Sequence, residues 1–249
     1  MRMLKLQELS WKEVDALERA NTTFLLPIAS TEQHGYHLPV STDTAILEGM
    51  LEGLVKTQAE YGRRFVLMPL IPVGISPEHL DFPGTLSLSC ATAAALIMDL
   101  LGSLARHGFK DFILVNSHGG NTPFLSGIGR EIRERFCCGV RLLDVYGSKF
   151  FGGMPRVTQG TGVDIHGGEY ETSILQVLRP ELVHLDFPPH TLKSALSSIP
   201  DLWMTRELSE TGVIGDATLA TPQKGQAFYA FAVQRLKELL IAHCDGKKA

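Results

Sequence analysis

Short β-rich runs alternate with helical patterns along most of this chain, and no other feature constrains its fold as strongly. The runs cover 23–29, 65–71, 111–116 and 140–146. Between them lie helical signals. Ser10-Trp11-Lys12-Glu13 is a capping-box pattern and predicts a helix from about Trp11 to Ala20. A second helix is expected from Thr42 to about Tyr61, with Ile46, Leu47, Met50 and Leu54 as its apolar stripe and Gly62 as its stop. Ser89 caps a third, Cys90 to His107, and Thr122-Pro123 opens a fourth. Glu169 to about Leu178 follows. Thr221-Pro222 opens the last, Gln223 to Cys244, with Phe228, Phe231, Leu236 and Leu240 facing the core. Strands separated by helices predict a mostly parallel sheet covered on both faces. Residues 181–220 hold prolines and short apolar pieces and suggest no element.

Composition narrows the function classes. An apolar fraction of 44% with 20% charged residues suits a soluble chain with a sizeable buried core. The net charge of -4 comes without a long single-sign run, which argues against nucleic acid or an anionic membrane as partner. No apolar run approaches the roughly 20 residues that span a bilayer. The first residues lack the apolar centre of a signal peptide. Cys90, Cys137, Cys138 and Cys244 follow no zinc or disulfide spacing, so reduced thiols and a cytoplasmic location are expected.

Ligands of parallel sheets bind beyond the carboxyl ends of the strands. Four polar clusters fall in or near such loops: Glu32 with His34, then Asp43, then His118, then His166 with Glu169 and Glu171. Glu, His and Asp converging without cysteine suit Zn, Mn or Fe. Glu32 and His34 are two apart, so in extended backbone they point the same way and can each hold one ion. Asp43 projects onto the inward face of its helix with Ile46 and Leu47. It is either a first-turn acid favoured by the helix dipole or a ligand bridging two ions.

If a helix starts near Glu169, Glu171 shares the apolar face with Ile174, Leu175 and Leu178, whereas Glu169 aligns with Ser173 and Gln176 on the polar side. A carboxylate on an apolar face needs a strong partner, so Glu171 is the better metal ligand. The alternative for Glu171 is a buried Arg or Lys partner. Glu169 is read as an exposed first-turn acid. Ser117-His118-Gly119-Gly120-Asn121 precedes a helix, and its bare N–H groups can hold an anion or a developing oxyanion. No Walker A loop, G-x-G-x-x-G or G-x-S-x-G elbow is present. The long Gly/Pro-rich loop 72–87 offers Ser76 and His79 to a substrate, although His79 can equally be a surface histidine. The Gly-rich segment 147–165 reads as a mobile loop near the site.

Ser30-Thr31-Glu32-Gln33-His34-Gly35 with Asp43, then Phe82-Pro83-Gly84-Thr85, Asn116-Ser117-His118-Gly119-Gly120-Asn121 and His166-Gly167-Gly168-Glu169-Tyr170-Glu171-Thr172-Ser173 resemble the creatininase family in motif and order. The resemblance covers about residues 20–180. It implies a single creatininase-like domain over 1–249, built as a three-layer α/β/α sandwich. It also implies two divalent metal ions, with zinc first and Mn or Fe as alternatives. Glu32, His34, Asp43, His118 and Glu171 are the implied ligands, Asp43 bridging, and His166 is the implied proton shuttle. The implied reaction is hydrolysis of a C–N bond in a small-molecule substrate by a metal-bridging hydroxide. Relatives are commonly hexamers, so a homo-oligomer is expected.

The chain departs from creatininases proper in two places. They carry a glutamate two residues after the second motif's histidine, where Gly120 stands here. They also carry a tryptophan four residues before the third motif's histidine, where Gly162 stands. Glu169 is the candidate catalytic replacement for the missing carboxylate. Ser76, His79, Gly119, Gly120 and Asn121 are candidate substrate contacts. Creatininase activity, a deformylase, a peptidase maturing a peptide cofactor and a keto-inositol hydrolase are all compatible with the motifs. A metal-retaining binding protein without turnover is the competing class.

Overall fold

The computed structural model describes residues 2–57, 61–152, 154, 164–186 and 202–246. Five strands form one parallel sheet: β1 (Leu4–Lys5), β2 (Thr22–Ile28), β3 (Arg64–Leu67), β4 (Asp111–Asn116) and β5 (Gly139–Asp144), in the order β1-β3-β2-β4-β5. The helices are α1 (Trp11–Asp15), α2 (Thr42–Lys56), α3 (Cys90–Ala105), α4 (Asn121–Phe136), α5 (Ser148–Phe151), α6 (Glu169–Leu178), α7 (Thr205–Leu208) and α8 (Pro222–Asp245).

Period-two alternation sorts the strand side chains between two cores. Leu25, Phe65, Leu67, Ile113 and Val115 face α2, α6 and α8. Phe24, Leu26, Val66, Phe112 and Leu114 face α3 and α4. The expected α/β/α sandwich is therefore the observed one, and Ile46, Leu47, Met50 and Leu54 are buried as the stripe requires.

Several boundaries differ from the sequence-based expectation. The capping box at Ser10 and Glu13 forms, but α1 stops at Asp15. Helix α2 ends at Lys56 rather than near Tyr61. Strand β3 ends at Leu67, two residues before Pro69, which has no N–H to give a ladder; only Ile71 bridges again, to Ile28. Strand β1 has two residues, too few to leave a pattern in the sequence. Part of 181–220 is ordered into α7 and a bridge between Ile214 and His166. Most of the Gly-rich segment expected to be a mobile loop, including Gly160 and Gly162, lies outside the described residues. Among the described residues no helix is long and apolar enough to cross a membrane.

Away from the site, Asp111 opens β4 in a buried polar cluster. His243 Nε2 lies 2.9 Å from its carboxylate and Arg63 3.3 Å from it, and the Thr23 hydroxyl donates to it. This cluster ties α8 to the amino-terminal edge of the sheet, opposite the carboxyl-terminal edge.

Candidate metal centre

Strand β2 runs out at Ile28, and the chain turns across the carboxyl edge of the sheet before α2 starts. That turn presents Glu32 and His34, and the first turn of α2 presents Asp43. His118 follows β4, and Glu171 lies on α6. All five residues are at most 5% exposed. Two sets of three converge: Glu32, Asp43 and His118, and His34, Asp43 and Glu171, each offering atoms within 4.8 Å of one another. Asp43 belongs to both. Its Oδ1 lies 3.4 Å from His34 Nε2, and its Oδ2 lies 3.6 Å from His118 Nδ1. Glu171 Oε2 is 3.7 Å from His34 Nε2, and Glu32 Oε1 is 3.1 Å from His118 Nδ1.

Outer hydrogen bonds decide which imidazole nitrogen is bare. His34 Nδ1 donates to the Glu32 carbonyl at 3.0 Å, leaving Nε2 toward Asp43 and Glu171. His118 Nε2 donates to the Ile75 carbonyl at 3.0 Å, leaving Nδ1 toward Glu32 and Asp43. This is the pattern by which proteins orient metal-ligating histidines. Tyr146 Oη donates to Glu171 Oε1 and Gly167 N donates to Glu171 Oε2, both at 2.6 Å.

The donor set fits cations. Glu32 Oε1 and Oε2, His34 Nε2 and Asp43 Oδ2 are buried without a hydrogen-bond partner. Buried polar atoms are very rarely left so, and several on one spot suit an ion. Three converging carboxylates also repel one another unless something positive lies between them. The titration behaviour agrees. Burial raises Asp43 to about 7, and the Glu32 charge adds to that rise. Burial opposes the charged form of His34, yet Glu171 and Asp43 hold it at about 10. A proton on His34 thus occupies the lone pair an ion would use.

His166 completes the centre. Its Nε2 lies 2.6 Å from the Gln33 carbonyl and donates to it, so Nδ1 is bare and 3.7 Å from Glu32 Oε1. Burial, reinforced by His34, lowers His166 to about 4 and keeps it neutral. Glu32, His34 and His166 also bring one atom each within 4.8 Å of the others, a third geometry open to an ion.

Other candidates fall elsewhere. Glu169 was expected on a polar, exposed face; instead it is buried and paired with Lys224 of α8, away from the cluster. Helix α6 is covered on more than one side because both α2 and α8 pack against it. A Cβ at Gly225 would stand 1.9 Å from the Ser173 carbonyl oxygen. Asn121 spends its amide on Ile75 N (2.8 Å), the Ala29 carbonyl (3.2 Å) and Asn116 Oδ1 (3.1 Å), so it braces the loops rather than reaching a substrate. Ser76 is fully buried between Ser30 Oγ (2.5 Å) and His118 Nε2 (3.1 Å). His79 is not a surface histidine. It stacks on His166 at 4.3 Å and points Nε2 at Glu32 Oε1, 3.5 Å away. Burial and His166 lower it to about 2. His37 bonds Thr172 Oγ1 at 2.8 Å and ties the metal loop to α6.

Gly119 lines two cavities. One, about 570 Å³, also holds Glu32, Asp43, Tyr146, Asp164 and Glu171. The other, about 450 Å³, holds Glu78, His79, Gly120 and Trp203. Sequence reasoning passed over Tyr146, Gln33, Asp164 and Trp203. Tyr146 had a usable signal, since it follows β5 at the carboxyl edge of the sheet. Gln33 had none, because only tertiary contact reveals its bonds to His79 (2.9 Å) and the Gly212 carbonyl (3.0 Å).

A parallel α/β/α sandwich with buried carboxylates and imidazoles at its carboxyl edge defines a class of protein able to bind metal ions there. The creatininase family, described as creatinine amidohydrolase, matches residues 7–240. The chain belongs to the creatininase family and is a hydrolase of its C–N-cleaving class. It is 28% identical to the creatinine amidohydrolase of Pseudomonas putida over 94% of both chains. It is 32% identical to the mycofactocin precursor peptide peptidase of Mycolicibacterium smegmatis, over 83% of this chain and 79% of the relative. A manganese creatininase structure superposes with a TM-score of 0.72 at 26% identity, over 98% of this chain and 99% of the other. A mutant creatininase of Zn-Zn type gives 0.70 at 25% identity, over 98% and 99%.

Proposed function

We propose that the protein is a dinuclear metal-dependent amidohydrolase in which Asp43 bridges the two ions. The observation that carries this reading is the split address of Asp43, one oxygen toward His34 Nε2 and the other toward His118 Nδ1. Glu32 and His118 would hold one ion, and His34 and Glu171 the other. Bound there, two divalent ions polarise a carbonyl and bring a water's pKa near neutrality. The protein's own groups do the rest. Tyr146 and Gly167 N hold Glu171 in one orientation. The Gln33 carbonyl holds His166 so that Nδ1 faces the centre, takes a proton there and delivers it to the departing nitrogen. The low pKa of that ring favours rapid return of the proton.

The substrate is an amide other than creatinine. Support comes from Gly120, where creatininases proper carry a glutamate, and from the similarity to peptidases that act on a mycofactocin precursor peptide. A homo-oligomer belongs to the same reading by family resemblance. The test is metal analysis of purified protein, followed by a hydrolysis panel of creatinine, formamides, lactams and short peptides with and without chelator. Bound Zn, Mn or Fe and chelator-sensitive turnover are expected. A metal-free protein that is equally active with chelator would refute the reading. Metal without turnover of any amide would favour the binding-protein alternative.

A further inference from the structure

The 450 Å³ cavity holds none of the carboxylates of the candidate metal set, yet it shares His118, Gly119, Ile165 and His166 with the larger one. The two therefore lie on either side of one ridge, and that ridge carries both a metal ligand and the proton carrier. Glu78 is the one carboxylate among the described residues lining the smaller cavity. It reaches the cavity because residue 120 has no side chain: a Cβ at Gly120 would stand 2.4 Å from Glu78 Oε1. The Glu78 side chain is 17% exposed and lies 3.5 Å from His118 Nε2, its closest polar contact among the described residues. His118 Nε2 also donates to the Ile75 carbonyl at 3.0 Å, so Glu78 shares this nitrogen rather than holding it alone. Leu202, Trp203 and Met204 supply apolar lining to the same cavity.

Asp164, the acid of the larger cavity outside the metal set, is engaged differently. Its Oδ2 accepts from Tyr170 N at 2.8 Å, at the start of α6. Glu78, by contrast, meets its cavity with part of its side chain open.

We infer that the cavity bounded by Glu78 and Trp203 is the subsite for the amine half of the substrate, a group that is both apolar or aromatic and positively charged or rich in N–H donors. This rests on the hydrolase reading. Cleavage of an amide leaves a carboxylate on one side and an amine on the other. The amine fits beside a carboxylate and an aromatic face, and the carboxylate product does not. His166 stands on the ridge between the halves, where the departing nitrogen must be protonated.

The test uses zinc-reconstituted protein carrying Trp11→Phe, which leaves Trp203 as its one tryptophan. Trp11 is 75% exposed, so its removal is mild. Trp203 emission is followed during titration with 2-phenylethylamine and with 3-phenylpropionate. Saturable binding of the amine, at least about tenfold tighter than the acid, is expected, and Glu78→Gln should weaken the amine about tenfold with zinc content unchanged. Absence of saturable amine binding, equal or tighter binding of the acid, or amine binding indifferent to Glu78→Gln would overturn the inference. Loss of zinc in Glu78→Gln would also overturn it, by assigning Glu78 to the metal centre. If that variant does not fold, the amine-over-acid preference of the protein with native Glu78 decides alone. Zinc content and amide turnover, measured on the same samples, report separately on the hydrolase reading.

Discussion

Tyr146 and Glu171 are joined by a 2.6 Å hydrogen bond between a residue just past β5 and a carboxylate on α6. The bond fixes one oxygen of Glu171 and leaves the other toward His34. Removing such an outer partner typically lowers metal affinity roughly 10- to 100-fold. On the dinuclear reading, Tyr146→Phe should therefore weaken one of the two ions by about that factor while the fold persists. Competition with a chromophoric chelator measures it, and two unchanged affinities would contradict the role given to Tyr146.

Glu171→Gln and Glu169→Gln should separate cleanly. The first removes a charge from the metal set and should lose one ion. The second leaves Lys224, 28% exposed, beside a neutral group in a packed interface, and should keep both ions. A destabilisation of about 2–3 kcal/mol is expected for it, at the low end for breaking a buried pair because Lys224 retains some water. Urea denaturation with metal analysis distinguishes the two. Full stability with lost turnover in Glu169→Gln would restore Glu169 to catalysis.

Metal uptake should release protons. In the metal-free protein His34 titrates at about 10 and Asp43 at about 7, both raised. The metal-free state therefore holds more protons than the loaded one at neutral pH, and apparent affinity must rise with pH. An increase of up to about tenfold per pH unit for each proton released is expected between pH 6 and 9. Calorimetric titration of zinc in buffers of different ionisation enthalpy counts the protons, and a count of zero would remove His34 from the ligand set.

Gly225→Ala should destabilise strongly for its size. The added Cβ would meet the Ser173 carbonyl at 1.9 Å, which forces α8 away from α6. Overpacking of this kind costs about 1–3 kcal/mol, and α6 carries Glu171, so metal affinity should fall as well. Thermal melts with and without zinc report both effects. A variant as stable as the parent would mean that the two helices separate easily.

By itself, the sequence determined the layered architecture, because strand and helix periodicities differ and their alternation leaves a parallel sheet as the economical arrangement. It also marked Glu32, His34, Asp43, His118, His166 and Glu171, because loops at the carboxyl edge of such a sheet must converge. Asp43 and Glu171 were legible for a further reason: both interrupt an apolar face. The structure alone decided the fate of Glu169, since helix-face reasoning assumes one wet side and α8 covers the side of α6 that reasoning left to solvent. It likewise decided that His79 is buried, that Asn121 is spent on bracing, and that Glu78 fills the space left by Gly120. Those outcomes depend on contacts between segments distant along the chain, and local periodicity carries no information about which distant segment will arrive.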